Sequence, residues 1–492
     1  MKNLEAYFSE FRKNIIGIDA TFESPYGQQK LVYADWIASG RLYKPIEERI
    51  CNIIAPLVGN THSEASETGR TMTLAYHQAH KIIKAHVNAN QDDVIITTDS
   101  GMTGVVNKFQ RILGLKVPER TTEFCVSANE CFKERPIVFV THLEHHSNHT
   151  SWLETIAEVV VLEPDSEMNV SPDALRKIIG KYKDRKLLLG SFSACSNVTG
   201  VKPPYYELAR IMHEHGGYCF VDFAASAPYL TINMHPSDPL ESLDAIFFSP
   251  HKFLGGPGSS GVVIFNKVLY RNRIPDHPGG GTVTWTNRWG EHRFHDDIEA
   301  REDGGTPGFL QAMRTAFAIR LKEKMGVENM EEREKELINI VFEEFEKIKE
   351  IYILAKNEKD RLGVFSFYVK NIHHNLMVRL LNDRFGIQVR GGCSCAGTYG
   401  HFILNVDIKK SKEITEMIDH GDFSLKPGWV RLSLHPTMTN EELYFIIDAI
   451  KQTVENSVEW SSDYIQDKTS GEFFHKLEKR KLPEEFDYFF DL

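Results

Sequence analysis

The chain has 492 residues, enough for two domains with a sizeable core, and its 41% hydrophobic and 25% charged content is that of an ordinary globular protein. A net charge of −11 argues against nucleic acid or an anionic membrane as a main partner. No run of about 18 apolar residues is present. The opening stretch MKNLEAYFSEFRKNIIGI alternates apolar and charged residues, unlike a secretion signal, and seven cysteines at this low density fit a reducing compartment. A cytoplasmic location is therefore expected.

Taken in chain order, short apolar runs alternate with helical patterns from about residue 70 to 270. Val94–Thr98, Ile137–Val140, Val159–Leu162, Leu187–Gly190, Tyr218–Phe220 and Ala245–Phe248 have the length and continuity of buried strands. Thr73–His86 and Tyr205–His215 have helical spacing. This alternation predicts an α/β domain with a mixed, mostly parallel sheet flanked by helices. Beyond about residue 308 the pattern changes. Phe309–Ile351 reads as one long charged helix after a Gly-rich turn, and strands and helices then follow to about residue 455 as a smaller α+β domain. The expected organisation is an N-terminal arm (1–30), a large domain (31–308), a small domain (309–455) and an extension (456–492). The extension is rich in charges and aromatics and fits either a docked helix or a partly ordered tail.

Thr97–Asn107 (TTDSGMTGVVN) runs from a strand through a Gly-containing turn into a helix start. Backbone amides there, with Ser100 and Thr103, suit an anion backed by the helix dipole. The segment HLEHHSNH raises a metal site, since His142, His145, His146 and His149 would share one face of a helix. No second ligand set accompanies them, so no metal is expected, and a flat imidazole stacked on a cofactor ring is the better use. Cys219-Phe220-Val221-Asp222 places a carboxylate at a strand end, where it serves as a helix cap or holds a pyridinium nitrogen protonated.

Thirty residues on, DAIFFSPHKFLGGPGSSGVVIF carries the strongest signal. Lys252 stands between an apolar strand and a tight turn, where desolvation lowers an amine's pKa as attack on an aldehyde requires. Ser249 and His251 beside it can donate to a phosphate. The three glycines that follow mark a place where backbone would approach a ligand. Near the C-terminus, RGGCSCA sets Cys393 and Cys395 on a Gly-rich turn beside Arg390, which suits a reactive thiolate. In WVRLSLH, Arg431 lies inside an apolar strand and needs a partner, either a structural carboxylate or a substrate's.

Over residues 30 to 450, and in the same order, these segments resemble the class V aminotransferase group of fold type I pyridoxal-phosphate enzymes, most closely the cysteine desulfurases that also act as selenocysteine lyases. The resemblance implies that Lys252 carries pyridoxal 5'-phosphate as a Schiff base, that His145 stacks on the ring and that Asp222 pairs the pyridine nitrogen. It assigns phosphate to the Gly101-Met102-Thr103 turn, Ser249 and His251, and to Thr306 of Gly305-Thr306-Pro307 reaching across a homodimer. Asn197 of SNVTG and Arg431 would hold the substrate carboxylate, with Arg390 lining the same pocket. Cys395 fits the persulfide cysteine of Arg-x-Gly-x-x-Cys-Ala. The implied reaction turns L-cysteine or selenocysteine into alanine, leaving a persulfide on Cys395 for an acceptor protein. The alternatives on this scaffold are an aminotransferase, an epimerase or a carbon–sulfur lyase, or a chain that keeps the fold only as a sulfur relay.

Four features depart from the family pattern. Phe223-Ala224-Ala225 follows Asp222 where the family has Gly-Ala-Gln or Gly-Ala-His. The Lys252 loop has an extra residue (GGPG). Cys393 is an additional thiol. The chain is also longer, near 117–136 and at 456–492.

Overall fold

Every apolar run expected to be a strand before residue 266 joins one seven-stranded sheet: β1 (Asp93–Thr98), β2 (Ile137–Thr141), β3 (Glu158–Leu162), β4 (Leu188–Ser193), β5 (Tyr218–Asp222), β6 (Ala245–Phe248) and β7 (Gly261–Asn266). The computed structural model describes residues 3–61, 64–98, 101–123, 134–478 and 483–491. Ser100 and much of the 117–136 insertion lie outside them. The strand order is β1-β7-β6-β5-β4-β2-β3, and only β7 runs antiparallel to its neighbours. The sheet is mixed and mostly parallel, as expected.

Alternate residues of each strand enter two separate cores. Ile95, Phe139, Val221, Ile246 and Ile264 face one side, where Leu208 and Met212 of a helix at Tyr205–Glu214 cover them. Val94, Val138, Phe220, Phe247 and Val263 face the other, against Val105, Val106 and Phe109. Both faces are apolar because both are covered, which is why the strands read as unbroken hydrophobic runs.

Helix α1 (Leu4–Arg12) opens the chain, and α2 (Glu67–His86) starts earlier than the apolar spacing suggested. Ser66 accounts for the difference: its side chain caps the helix by accepting from Gly69 N at 3.3 Å. Helix α3 (Gly101–Ile112) follows β1, and α4 (His146–Leu153) follows β2.

The long helix expected over Phe309–Ile351 is two helices, α5 (Phe309–Met325) and α6 (Val327–Phe345), and Ile351 already belongs to a strand. Gly326, at φ +77°, makes the break, a backbone angle that a residue with a Cβ rarely adopts.

Four antiparallel strands form the second sheet, β8 (Ile351–Ile353), β9 (Val364–Val369), β10 (Arg390–Gly392) and β11 (Trp429–Ser433), in the order β8-β9-β11-β10. Its core includes Phe365, Phe367, Val430 and Leu432 with Ile446 and Ile450 of α7 (Asn440–Ser461). Leu4, Phe8 and Phe11 of α1 enter the same core, so the first helix packs with the last part of the chain. Helix α7 runs past residue 455, and a short hairpin (Tyr464–Gln466 with Phe473–His475) follows it. The extension is therefore not one docked helix. No helix among the described residues is long and apolar enough to cross a membrane.

Candidate active site

The carboxyl ends of β2, β4, β5 and β6 open on one edge of the large sheet, the place where parallel sheets bind ligands. A cavity of about 210 Å³ lies there, closed from the opposite side by the small sheet. Met102, Thr103, His145, Asn197, Asp222, Ser249, His251 and Lys252 line it, together with Arg390, Cys395 and Arg431. The structure thus brings together eleven of the residues singled out from sequence. Gly101 borders the cavity, since a Cβ there would stand 3.2 Å from Ser249 Oγ. Thr306 is exposed and does not line the cavity of its own chain.

Lys252 follows β6 on a single 3-10 turn, Pro250–Lys252. Burial pulls its amine down to about 8; the neighbouring Arg431 and Arg390 act the same way, and Asp222 and Asp35 oppose them. Among the described residues, no carboxylate lies within ion-pair reach of Lys252 Nζ. The glycines after it do not meet the cavity. They pack the loop back onto protein: a Cβ on Gly256 would fall 1.9 Å from Pro250 O, so close approach to backbone, not to a ligand, requires glycine there.

Asp222 ends β5, one strand over from β6. Burial pushes its carboxyl up to about 6, against the Ala224 N–H that donates to it at 2.7 Å and the nearby Lys252. His145 stands at the N-cap of α4. Burial holds it down to about 3, aided by Lys252, so its ring is neutral. Its Nδ1 accepts from Ser147 N at 3.1 Å, which puts the ring's one N–H proton on Nε2. Ser249 Oγ accepts from Met102 N at 2.8 Å, and the Thr103 and Ser147 hydroxyls share a hydrogen bond of 2.6 Å. His251 is held neutral too, at about 4, by burial and by Lys252.

The histidine segment divides its labour. Only α4 from His146 onward is helical, so the four imidazoles do not share a face. His142 Nε2 stands 3.1 Å from Met168 O, in contact with the Tyr399 and Phe402 rings. His146 and His149 instead hold the cysteine turn: His146 N donates to Cys395 O at 2.8 Å, Gly397 N donates to His146 Nε2 at 3.0 Å, and Thr398 bonds His149 Nδ1 at 3.1 Å. That turn puts Ser394 and Cys395 at φ +51° and +56°, consecutive left-handed residues each costing about 1 kcal/mol. Asn197 Nδ2 donates to Ser394 O at 2.8 Å and Trp429 Nε1 to Ser394 Oγ at 3.2 Å, which pins the strained turn.

Sequence reasoning missed several participants. Asp35 forms ion pairs with both Arg431 (2.8 Å) and Arg390 (3.2 Å). Buried Cys195, Ser193 and Ser394 line the cavity, as do half-buried Ser147 and the residues Ile37 and Ala38. Glu144 lies fully buried behind His145. Its carboxylate accepts from Thr141 N, Thr141 Oγ1 and Ser193 N on one oxygen, and from Asn148 Nδ2 and Ser193 Oγ on the other. Burial still pushes it up to about 7. The signal for Glu144 was its place inside the histidine segment; Asp35 had none, because its partners stand hundreds of residues away.

The set fits pyridoxal phosphate: an amine near neutrality, a carboxylate at the neighbouring strand end, a neutral flat imidazole, and hydroxyls at a helix N-terminus. Asn197 Oδ1 adds a buried acceptor with no partner among the described residues.

A lysine-centred cavity at the carboxyl edge of such a sheet, capped by a small α+β layer, is the architecture of fold type I pyridoxal-phosphate enzymes, and the solved structures agree. A cysteine desulfurase from Thermococcus onnurineus NA1 superposes with a TM-score of 0.72 over 91% of this chain and 98% of its own, at 24% identity. A cysteine desulfurase from Escherichia coli gives 0.70 over the same shares at 20% identity. The chain belongs to the aminotransferase class-V family, whose model matches residues 32–445. Curated relatives include probable cysteine desulfurases of Halobacterium salinarum, 26% identical over 75% of this chain and 83% of the relative, and of Staphylococcus aureus, 25% identical over 87% and 93%.

Proposed function

We propose that this chain is a pyridoxal-phosphate-dependent, cysteine desulfurase-like enzyme that converts L-cysteine, or selenocysteine, to alanine and leaves a persulfide on Cys395. The observation that carries the reading is that one cavity holds the Lys252 amine, the two arginines Arg390 and Arg431, and an exposed thiol, Cys395. Relatives named probable cysteine desulfurases support it.

In this reading Thr103, Ser249 and His251 hold the cofactor phosphate at the start of α3, Asp222 meets the ring nitrogen and His145 lies on the ring. When bound, the cofactor supplies an electron sink that makes the substrate's α-proton and its Cβ–S bond labile. Arg431, Arg390 and Asn197 orient the amino acid by its carboxylate. Lys252 Nζ moves the α-proton. The Cys395 thiolate attacks the substrate sulfur, forming the S–S bond as the Cβ–S bond breaks, and protonation at Cβ with return of a proton to Cα completes alanine. The persulfide then awaits an acceptor protein's thiol.

A homodimer is part of the proposal. Ile53, Leu57, Met72, Met313 and Phe317 line an open apolar groove between α2 and α5 that a second copy would cover, bringing its Thr306 to the phosphate. The five cysteines among the described residues are unpaired, which supports a reducing, cytoplasmic setting.

Ala225 favours a second reading. It lines the cavity with a methyl group where the family places a hydrogen-bonding side chain, which suits an aminotransferase, epimerase or carbon–sulfur lyase with Cys395 incidental. Incubation with cysteine and related amino acids, without keto acid, separates the two. Alanine with protein-bound persulfide supports the desulfurase; pyruvate, or no product without a keto acid, replaces it.

A further inference from the structure

Arg390 and Arg431 are direct partners across the β10–β11 ladder. Like charges set opposite each other in an antiparallel pair repel. One carboxylate sits between them: Asp35 Oδ1 lies 2.8 Å from Arg431 Nη2, and its Oδ2 lies 3.2 Å from Arg390 Nε. Arg431 is buried, with its Nη1 donating to Asn197 O at 3.2 Å and its Nε without a partner among the described residues. Arg390 is half exposed.

The position of Asp35 does not depend on those ion pairs. Ala34 N donates to Gln388 O at 3.0 Å, and Ser433 N donates to Ala34 O at 2.8 Å. Asp35 itself forms a parallel bridge with Ser433. Residues 34–35 are thus threaded between the strand leading to Arg390 and the strand carrying Arg431. Three residues on, Ile37 and Ala38 line the cavity, and Gly40 N donates to His251 O at 2.9 Å, beside Lys252. The segment ties the arginine pair to the lysine turn by backbone hydrogen bonds, so the main chain that presents the Asp35 carboxylate is anchored independently of the ion pairs.

Two guanidinium charges and one carboxylate leave the site one net positive charge, the charge that a single substrate carboxylate neutralises. We propose that Asp35 is the specificity-determining residue of the amino-acid site: it holds Arg390 and Arg431 side by side and sets their combined charge so that monocarboxylates are accepted and dicarboxylates are discriminated against. The inference rests on the reading of Arg390 and Arg431 as the carboxylate-binding pair. A second anion on the substrate would meet Asp35 after the single net charge of the arginine pair has been neutralised, and that repulsion is weakly screened because Asp35 is buried.

Calorimetric binding of propionate and succinate to the full chain tests this without any sulfur chemistry. Asp35→Asn keeps the shape and removes the charge. It should raise succinate affinity relative to propionate about tenfold, and Asp35→Glu should hold the wild-type ratio. Arg390→Gln, on the half-exposed partner, should shift the ratio the opposite way and keeps the test valid where Asp35→Asn does not fold. A ratio unchanged in both Asp35→Asn and Arg390→Gln overturns the proposal, as does an equal gain for both anions in Asp35→Asn, which would make Asp35 a resident competitor. Arg431→Gln separates the two levels of inference. Propionate binding that survives it means that the carboxylate reading itself has failed.

Discussion

Cys393 and Cys395 stand two residues apart yet serve different hollows: Cys395 lines the cavity of Lys252 and Arg431, and Cys393 lines an apolar one of about 140 Å³ beside Trp429, Leu404 and Ile418. The left-handed angles of Ser394 and Cys395 turn the chain between them.

Cys395→Ser should therefore lower sulfur release by more than about 100-fold while cofactor loading stays intact, because sulfur attack needs a thiolate and loading does not. Cys393→Ser should change turnover only a few-fold, roughly. Alanine and persulfide assays beside the visible spectrum check both. Full activity of Cys395→Ser would end the desulfurase reading.

Lys252 should carry the cofactor. Borohydride reduction and peptide mapping should place the pyridoxyl group there, and a label on any other lysine sinks the assignment. Loading requires the neutral amine, so its rate should rise with pH and level off above about 8. The stability effect has the same sign. The folded-state value lies below the ordinary lysine value of about 10.4, so between the two the unfolded chain binds one more proton, and the cofactor-free protein gains stability as pH rises across that window. Lys252→Met should be more stable than wild type at pH 7 by roughly 3 kcal/mol, an advantage that fades toward pH 10. Urea unfolding at several pH values reads it.

Asp222→Ala should cut turnover by about 100-fold or more and weaken cofactor retention far less, because the phosphate contacts at Thr103, Ser249 and His251 remain. Spectroscopic titration with pyridoxal phosphate alongside kcat makes the comparison. Unchanged turnover would show that the ring is held another way.

Glu144→Gln should cost about 1–3 kcal/mol, because five donors converge on the carboxylate and an amide nitrogen would face at least one of them. Denaturant midpoints measure this. An unchanged midpoint would mean that the Ser193 and Asn148 contacts repack freely.

Leu57→Asp, in the groove between α2 and α5, should convert a dimer to a monomer at low micromolar concentration and lower activity with it. Light scattering decides. A stable, active wild-type monomer would remove the shared-site proposal.

Read alone, the sequence determined what short-range pattern encodes. Buried strands read as apolar runs because both sheet faces are covered. Lys252 and Asp222 were legible because each sits at the end of such a run, and the cysteine turn because its glycines and thiols are adjacent. Tertiary structure alone decided what depends on direction and on distant partners. Gly326 splits a helix whose composition is continuous, because a backbone angle leaves no trace in hydrophobic spacing. His146 and His149 hold the cysteine turn, not a shared helix face, because that turn packs against α4. Asp35 meets Arg431 across 396 positions of chain. Nothing local marks that pairing, because like-charged neighbours on β10 and β11 acquire their counter-ion only when a strand from the other end of the molecule is threaded between them.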